Sequence, residues 1–276
     1  EIRLSLVGSE MCIRDRLDIA LTIAGTDPTG GAGIMADLKS FQARGVYGMA
    51  VVTSVVAQNT LGVQKIHNIP LDILDAQLNS VFSDITPNAI KTGMLANVEI
   101  MEVVKKYLST DIAYVVDPVM VATSGDKLID SNARNHLKNE ILPLATIITP
   151  NVPEAEEIVG FKIVTEDDIN KAGKFILTEV GCKSVIIKGG HLEGKAKDYL
   201  FTRNDSPHIW ESERINTKHT HGTGCTFSAV ITAELAKGND LVTSVDIAKK
   251  FITAAIKNSP EIGHGSGPVN HIAYKE

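Results

Sequence analysis

An α/β fold, with a central and mostly parallel sheet covered by helices on both faces, is what this sequence predicts. Three observations carry that expectation. Apolar runs of strand length alternate with helical patterns along almost the whole chain. The strand runs are continuous in Val and Ile rather than alternating with polar residues, as strands buried on both faces are. Near residues 195–217 this rhythm gives way to short strand-like pieces around a polar turn at 204–207. Those pieces read as antiparallel strands at the edge of the sheet.

The elements follow in order. IALTIAG (19–25) is a strand ending in glycine, and GIMADLKSFQARG (33–45) has helical spacing, with Ile34, Leu38 and Phe41 on one face. MAVVTSVVA (49–57) is a β-branched run, read as one strand. LDILDAQLNSVF (71–82) is amphipathic, AIKTG (89–93) is a short strand, and NVEIMEVVKKYL (97–108) is a helix. AYVVDPV (113–119) is a strand cut by Pro118, because proline cannot donate to a ladder. A helix near 130–140 and the strand ATIITP (145–150) come next. PEAEEIVG (153–160) starts a helix with Pro153 in its first turn, where the missing N–H costs nothing. A helix over 166–180 and the strand KSVIIKGG (183–190) follow. KDYLF, HIW and RIN supply the edge strands, and helices near 224–237 and 241–258 finish the fold. There is no internal repeat and no low-complexity linker, so 17–276 reads as a single domain.

Composition removes several functions. The 276 residues carry a net charge of −6, and no basic run exceeds two residues. Nucleic-acid binding needs clustered Lys and Arg and is not expected. No apolar stretch approaches the roughly 18 residues of a membrane span. The cysteines, Cys12, Cys182 and Cys225, give neither a disulfide framework nor a Cys-x-x-Cys metal pair. A reducing cytoplasm is the compartment this pattern suits. Residues 1–16, EIRLSLVGSEMCIRDR, show no clear signal-peptide pattern and read as a translated flank foreign to the fold or else a short native arm. The native chain is expected to begin near Leu17.

In an open α/β sheet, ligands bind beyond the carboxyl ends of the strands. Here those ends read GTDPTGGAG, AQNT, KTGM, DPV, TPN and KGGH. HGTGCT (221–226) opens a helix, whose first N–H groups lack internal partners and carry the positive end of the macrodipole. Gly222, Thr223 and Gly224 thus make either an anion site or a plain tight turn. Cys225 in the first turn is either a thiol depressed to about 3.5–7.5, able to take a proton from an alcohol, or a small buried hydrophobe. Asp37 sits one turn into the helix after the second glycine-rich loop, as a site residue or as a solvated carboxylate. Asp117 ends an apolar strand and needs a cation, a metal shell or backbone donors. Asn151 and Glu154 offer hard oxygens suited to Mg2+, though Glu154 equally suits a helix start. Lys188 ends a buried strand and calls for an anion such as phosphate. His191, His219 and His221 lack metal-ligand spacing on a helix. Anion hole, lysine, carboxylates and a candidate base together point to phosphoryl transfer.

These motifs, in this order, resemble the hydroxymethylpyrimidine/phosphomethylpyrimidine kinases of thiamine biosynthesis, within the ribokinase-like superfamily. The likeness runs from about Leu17 to the end and includes GHGSGPVNH at 263–271. It implies a ribokinase-like three-layer α/β/α fold. It also implies ATP-dependent phosphorylation of 4-amino-5-hydroxymethyl-2-methylpyrimidine, and then of its monophosphate. ATP and Mg2+ are the implied cofactors, a monovalent cation is an open question, and the implied assembly is a homodimer with 195–217 near the subunit contact. By the same resemblance Gln58 hydrogen-bonds the aminopyrimidine, while Gly25, Ala32, Met94 and Val119 line its pocket with Asp37 nearby. Cys225 is then the general base, the N–H groups of 222–225 hold the transferring phosphate, and Lys188 contacts the ATP phosphates. Asp117, Asn151 and Glu154 arrange Mg2+ and its waters. The competing readings are a pyridoxal or pyridoxine kinase of the same superfamily, or a non-catalytic ligand sensor on the same fold. A Rossmann dehydrogenase is not supported, because its glycine fingerprint is missing.

Overall fold

A computed structural model describes residues 17–120, 129–189, 195–203 and 205–275. The flank 1–16 with Cys12, the end of KGGH (Gly190, His191) and Asn204 lie outside the described residues.

Among the described residues the main sheet has eight strands in the order β10-β9-β8-β7-β6-β5-β1-β2. These are β1 (Ile19–Ala24), β2 (Tyr47–Val52), β5 (Ala89–Thr92), β6 (Ala113–Val116), β7 (Ile147–Ile148), β8 (Ser184–Lys188), β9 (Ala196–Thr202) and β10 (His208–Ser212). Every pairing from β2 across to β8 is parallel, and β9 and β10 add to the edge antiparallel. The expected mixed sheet is therefore present.

Side chains alternate across this sheet. Leu21, Ile23, Ile90, Val116, Ile148 and Val185 face one layer of helices: α2 (Leu71–Phe82), α3 (Val98–Lys105), α4 (Ser131–His136), α5 (Val152–Val159) and α6 (Glu166–Phe175). Val115, Ile147 and Ile186 face α7 (Thr223–Ala236) and α8 (Leu241–Lys257), while Ala20 and Ala89 meet α1 (Gly33–Ala43) and α7. Helix α7 is buried nearly all round from Thr226 to Ala236, as its mostly apolar and small-residue sequence allows. Arg44 and Glu234 close a buried ion pair at 2.5 Å between the end of α1 and α7.

The structure differs from the sequence reading in four places. The run 49–57 is not one strand: β2 ends at Val52, and β3 (Ser54–Asn59) leaves the main sheet to pair with β4 (Gly62–Asn68) as a two-stranded flap. Thr53 makes the corner, donating its N–H to Ala24 O and its hydroxyl to Met94 O, each at 3.0 Å. AQNT therefore ends a flap strand, and β4 has no counterpart in the reading because its apolar residues are few. RIN (214–216) is irregular. The helices expected at 130–140 and 166–180 both finish in wide π turns, Leu137–Ile141 and Ile176–Val180. The strand 145–150 is only Ile147–Ile148, though Thr146 and Thr149 extend its bonding to β6.

Candidate active site

Two glycine-rich loops lie back to back at the carboxyl end of the sheet. One links β1 to α1, and the other opens α7. Gly222 caps α7 with φ 79°, and a Cβ there would fall 1.6 Å from Gly31 O. Only glycine allows that approach. A Cβ on Gly33, at φ 55°, would stand 2.3 Å from Gly25 O. Asp27 ties the loops together: it accepts from Thr29 N (2.9 Å), Thr29 Oγ1 (2.8 Å) and Ala32 N (2.8 Å), and pairs with His221 Nε2 at 2.7 Å. Burial opposes its charge, but His221 and Thr29 outweigh burial and hold the carboxyl down at about 2.

These loops form the floor of a cavity of about 1170 Å³ that runs along the strand ends. Of the predicted site residues, Gly25, Ala32, Gln58, Met94, Asp117 and Val119 line it, and so do Asn151, Glu154, Lys188, Gly222, Thr223, Gly224 and Cys225. Asp37 does not. It lies fully buried beneath the floor, bonded to Lys91 Nζ at 2.5 Å and Thr22 Oγ1 at 2.6 Å. It is neither a pocket residue nor the solvated carboxylate that spacing equally suggested. Lys91 is the one of the pair that reaches the cavity. Burial works against its charge, but Asp37, with Asp117 assisting, holds the ammonium above the usual lysine range.

At the centre the helix start meets a charged pair. Gly222 at the cap has no side chain to bond the first N–H groups of α7, of which Thr223 N donates to Thr220 O at 3.2 Å. Gly224 lies over Lys188 and Asp117: its Cβ would sit 3.4 Å from Lys188 Nζ and 3.6 Å from Asp117 Oδ2. Lys188 Nζ is 3.6 Å from Asp117 Oδ1, which also accepts from Thr149 Oγ1 at 3.2 Å. Burial disfavours the Lys188 ammonium, yet Asp117, Glu154 and Asp198 more than compensate and keep it protonated. Asn151 forms a bridge with Lys188 and caps α5. Its Oδ1 accepts from Glu154 N at 2.8 Å, and its N–H donates to Glu154 Oε2 at 2.9 Å. Glu154 is thus both a helix-start residue and a cavity residue. Burial pushes it up to about 7 against the pull of Lys188.

Cys225 overturns one expectation. The helix start does not leave a low-lying thiol. Burial pushes it up to about 12, with Lys91 and the Gly33 N–H pulling down and the carboxylates of Asp117 and Asp37 pushing further up. Desolvation disfavours a thiolate more than one ammonium and one dipole can offset.

Toward the β1 and β5 ends Gly25, Val56, Gln58 and Met94 line the cavity, and a Cβ on Gly25 would lie 3.5 Å from Val56 Cγ2 and 3.6 Å from Met94 Sδ. Ile215, Ile252 and Ile256 add apolar side chains to its lining, as do residues 212–216 around Ile215. Sequence reading missed these isoleucines, and Asp27, Lys91 and His221 as well. The lysine within KTGM was the signal available for Lys91.

The phosphomethylpyrimidine kinase family model matches residues 27–270. The chain belongs to the phosphomethylpyrimidine kinase family. A hydroxymethylpyrimidine/phosphomethylpyrimidine kinase of Staphylococcus aureus strain MRSA252 is 61% identical over 260 residues, covering 93% of this chain and 94% of that protein. The Haemophilus influenzae protein of that name is 50% identical, over 92% of this chain and 96% of its own. Among solved structures, a phosphomethylpyrimidine kinase from Clostridium difficile 630 shares 45% identity at a TM-score of 0.76, over 86% of this chain and 99% of its own. A Bacillus subtilis pyridoxal kinase in complex with ADP shares 41% at 0.85, over 93% and 98%. The fold of the family member described here is thus the one these kinases share.

Proposed function

We propose that this chain is an ATP-dependent kinase that phosphorylates 4-amino-5-hydroxymethyl-2-methylpyrimidine and then its monophosphate, in thiamine biosynthesis. One observation carries the reading: Gln58, a glycine-rich helix start and the apolar side chains of Ile215, Ile252 and Ile256 line one cavity. The Gln58 amide offers both a donor and an acceptor, which matches an aminopyrimidine edge. The isoleucines suit a flat purine. The N–H groups of 222–225 and Lys188 would bind the transferring phosphoryl group and stabilise charge that spreads over its oxygens.

The residues fit Mg2+. Among the described residues no group of three or more His, Cys, Asp and Glu could hold a metal. Mg2+, however, commonly takes one or two carboxylates and fills the remaining positions with water and phosphate oxygens. Asp117 and Glu154 supply that pair, with Asn151 beside them, and a Glu154 carboxyl raised by burial gains from a nearby cation. Bound there, the ion would neutralise phosphate charge. Cys225, which lines the cavity at the helix start, would receive the alcohol proton. It is a thiol in the free site, so its role as base depends on the small thiolate fraction that Lys91 favours. In a loose phosphoryl transfer the alcohol proton needs to leave only late, which tolerates such a base.

A second reading has specific support: the solved pyridoxal kinases, including the S. aureus protein in complex with pyridoxal at 36% identity and TM-score 0.86, share this fold. We take the pyrimidine as substrate because the 61% and 50% identical relatives carry that name. A homodimer and a cytoplasmic location belong to the same proposal. Among the described residues no helix is long and apolar enough to cross a membrane.

The test offers ATP with the pyrimidine, its monophosphate and pyridoxal in parallel, and weighs the products by mass. Mono- and diphosphorylated pyrimidine are expected. Turnover of pyridoxal alone overturns the assignment. Gln58→Ala is expected to raise KM for the pyrimidine more than for ATP.

A further inference from the structure

Far along the chain from the flap, the glycine-rich segment 263–267 closes on its tip. Thr60 lies in the turn between β3 and β4. Its carbonyl accepts from Ser266 N at 2.9 Å, and its hydroxyl oxygen accepts from Gly265 N at 3.1 Å. A Cβ on Gly265 would stand 1.9 Å from Thr60 O, and one on Gly263, at φ 87°, 2.4 Å from Thr60 Cγ2. Glycine at these positions is what allows the segment to close on the threonine. The other side of the segment is bonded to the turn that opens α7. Ser266 Oγ donates to Lys218 O at 2.8 Å, and His221 N donates to Gly267 O at 3.1 Å. A Cβ on Gly267 would fall 2.3 Å from His219 Nδ1.

The flap is also held at its base. Thr26 N donates to Ser54 O at 2.9 Å, and Val56 N donates to Thr26 Oγ1 at 3.0 Å. Gln58 lies between the two tethers, two residues past Val56 and two before Thr60, beside an irregularity in the β3–β4 register at Ala57/Gln58. An isolated two-stranded hairpin is marginally stable in water. A side chain that must present a planar amide to a ring therefore needs the tip fixed as well as the base.

We propose that segment 263–267 is a positioning strap: anchored on Lys218 and His221, it clasps Thr60 and so holds Gln58 in the cavity. The positioning part rests on the reading that Gln58 contacts the pyrimidine; the clasp itself does not. Thr60, Gly265 and Ser266 act through Gln58 and touch no reacting atom.

The test compares Gly265→Ala, Thr60→Ala and Thr60→Ser with the parent chain. Amide hydrogen exchange is read over residues 54–66, and KM is read for the pyrimidine and for ATP. Gly265→Ala is expected to speed flap exchange about tenfold and raise the pyrimidine KM about tenfold, with the ATP KM changed about twofold at most. Thr60→Ala adds no bulk and is expected to move both readouts the same way by a smaller factor. Thr60→Ser keeps the hydroxyl acceptor and is expected to restore parent values. Unchanged exchange in Gly265→Ala and Thr60→Ala overturns the strap. Faster exchange with an unchanged pyrimidine KM overturns its positioning role, provided Gln58→Ala raises that KM. If Gln58→Ala leaves the KM unchanged, the pocket reading and the positioning role fall together, and exchange still decides whether the segment holds the flap.

Discussion

Replacing Lys91 by methionine is expected to destabilise the protein by about 4 kcal/mol at pH 7 and by much less at pH 5. Lys91 Nζ and Asp37 Oδ1 are 2.5 Å apart, and both side chains are fully buried. Methionine keeps most of the volume and removes the charge, which leaves a buried carboxylate with the Thr22 hydroxyl but no cation beside it. Breaking one side of a buried pair typically costs about 3–5 kcal/mol. A second route to the same figure follows from protonation. Burial already pushes Asp37 upward, and without Lys91 the cheapest escape is to take up a proton. That costs about 1.36 kcal/mol for each pH unit above the ordinary carboxylate value of about 3.9, hence about 4 kcal/mol at pH 7 and about 1.5 at pH 5. The sign follows: the unfolded chain ionises Asp37 above pH 4 while the folded variant holds it neutral, so the defect grows as pH rises. Urea unfolding of parent and variant at both pH values reads the difference directly. Adding Asp37→Asn to the variant should recover most of the loss. A defect below about 1 kcal/mol, or one equal at pH 5 and pH 7, would show that the pair is not the buried charge balance described here.

Three further outcomes are expected. Cys225→Ala should leave ATP affinity nearly unchanged while kcat falls by about 10²–10⁴, measured by equilibrium binding and turnover; retained turnover removes the base role. Because the thiol lies up at about 12, kcat/KM should climb about tenfold per pH unit between neutrality and pH 9, and a flat profile would mean that no such thiol limits the reaction. Gly222→Ala places a Cβ 1.6 Å from Gly31 O at a positive φ, so it should lose at least about 1–3 kcal/mol in unfolding experiments together with most activity.

Much of the architecture was legible because the pattern is local. Helix α2 matches its predicted residues 71–82, since apolar spacing sets a helix's inner face wherever it packs. The strand order is not local, but the antiparallel edge at β9 and β10 was readable from short strands around a turn. What failed shows where tertiary structure takes over. Nothing in MAVVTSVVA marks Thr53 as the corner where the chain leaves one sheet for another; hydrogen bonds to Ala24 and Met94 decide that.

The site divides in the same way. The sequence by itself determined that Lys188 stands at a strand end and that Glu154 and Cys225 stand at helix starts, because backbone geometry fixes those positions, and all three line one cavity; Gln58 reaches it on a flap that only tertiary contacts define. Only the tertiary structure decided their electrical state. Asp37 went beneath the floor to Lys91, Asp27 was engaged by His221, and the Cys225 thiol was raised rather than lowered. A carboxylate or thiol responds to the water it loses and to charges brought close from distant parts of the chain. Neither quantity is written in the spacing of neighbouring residues.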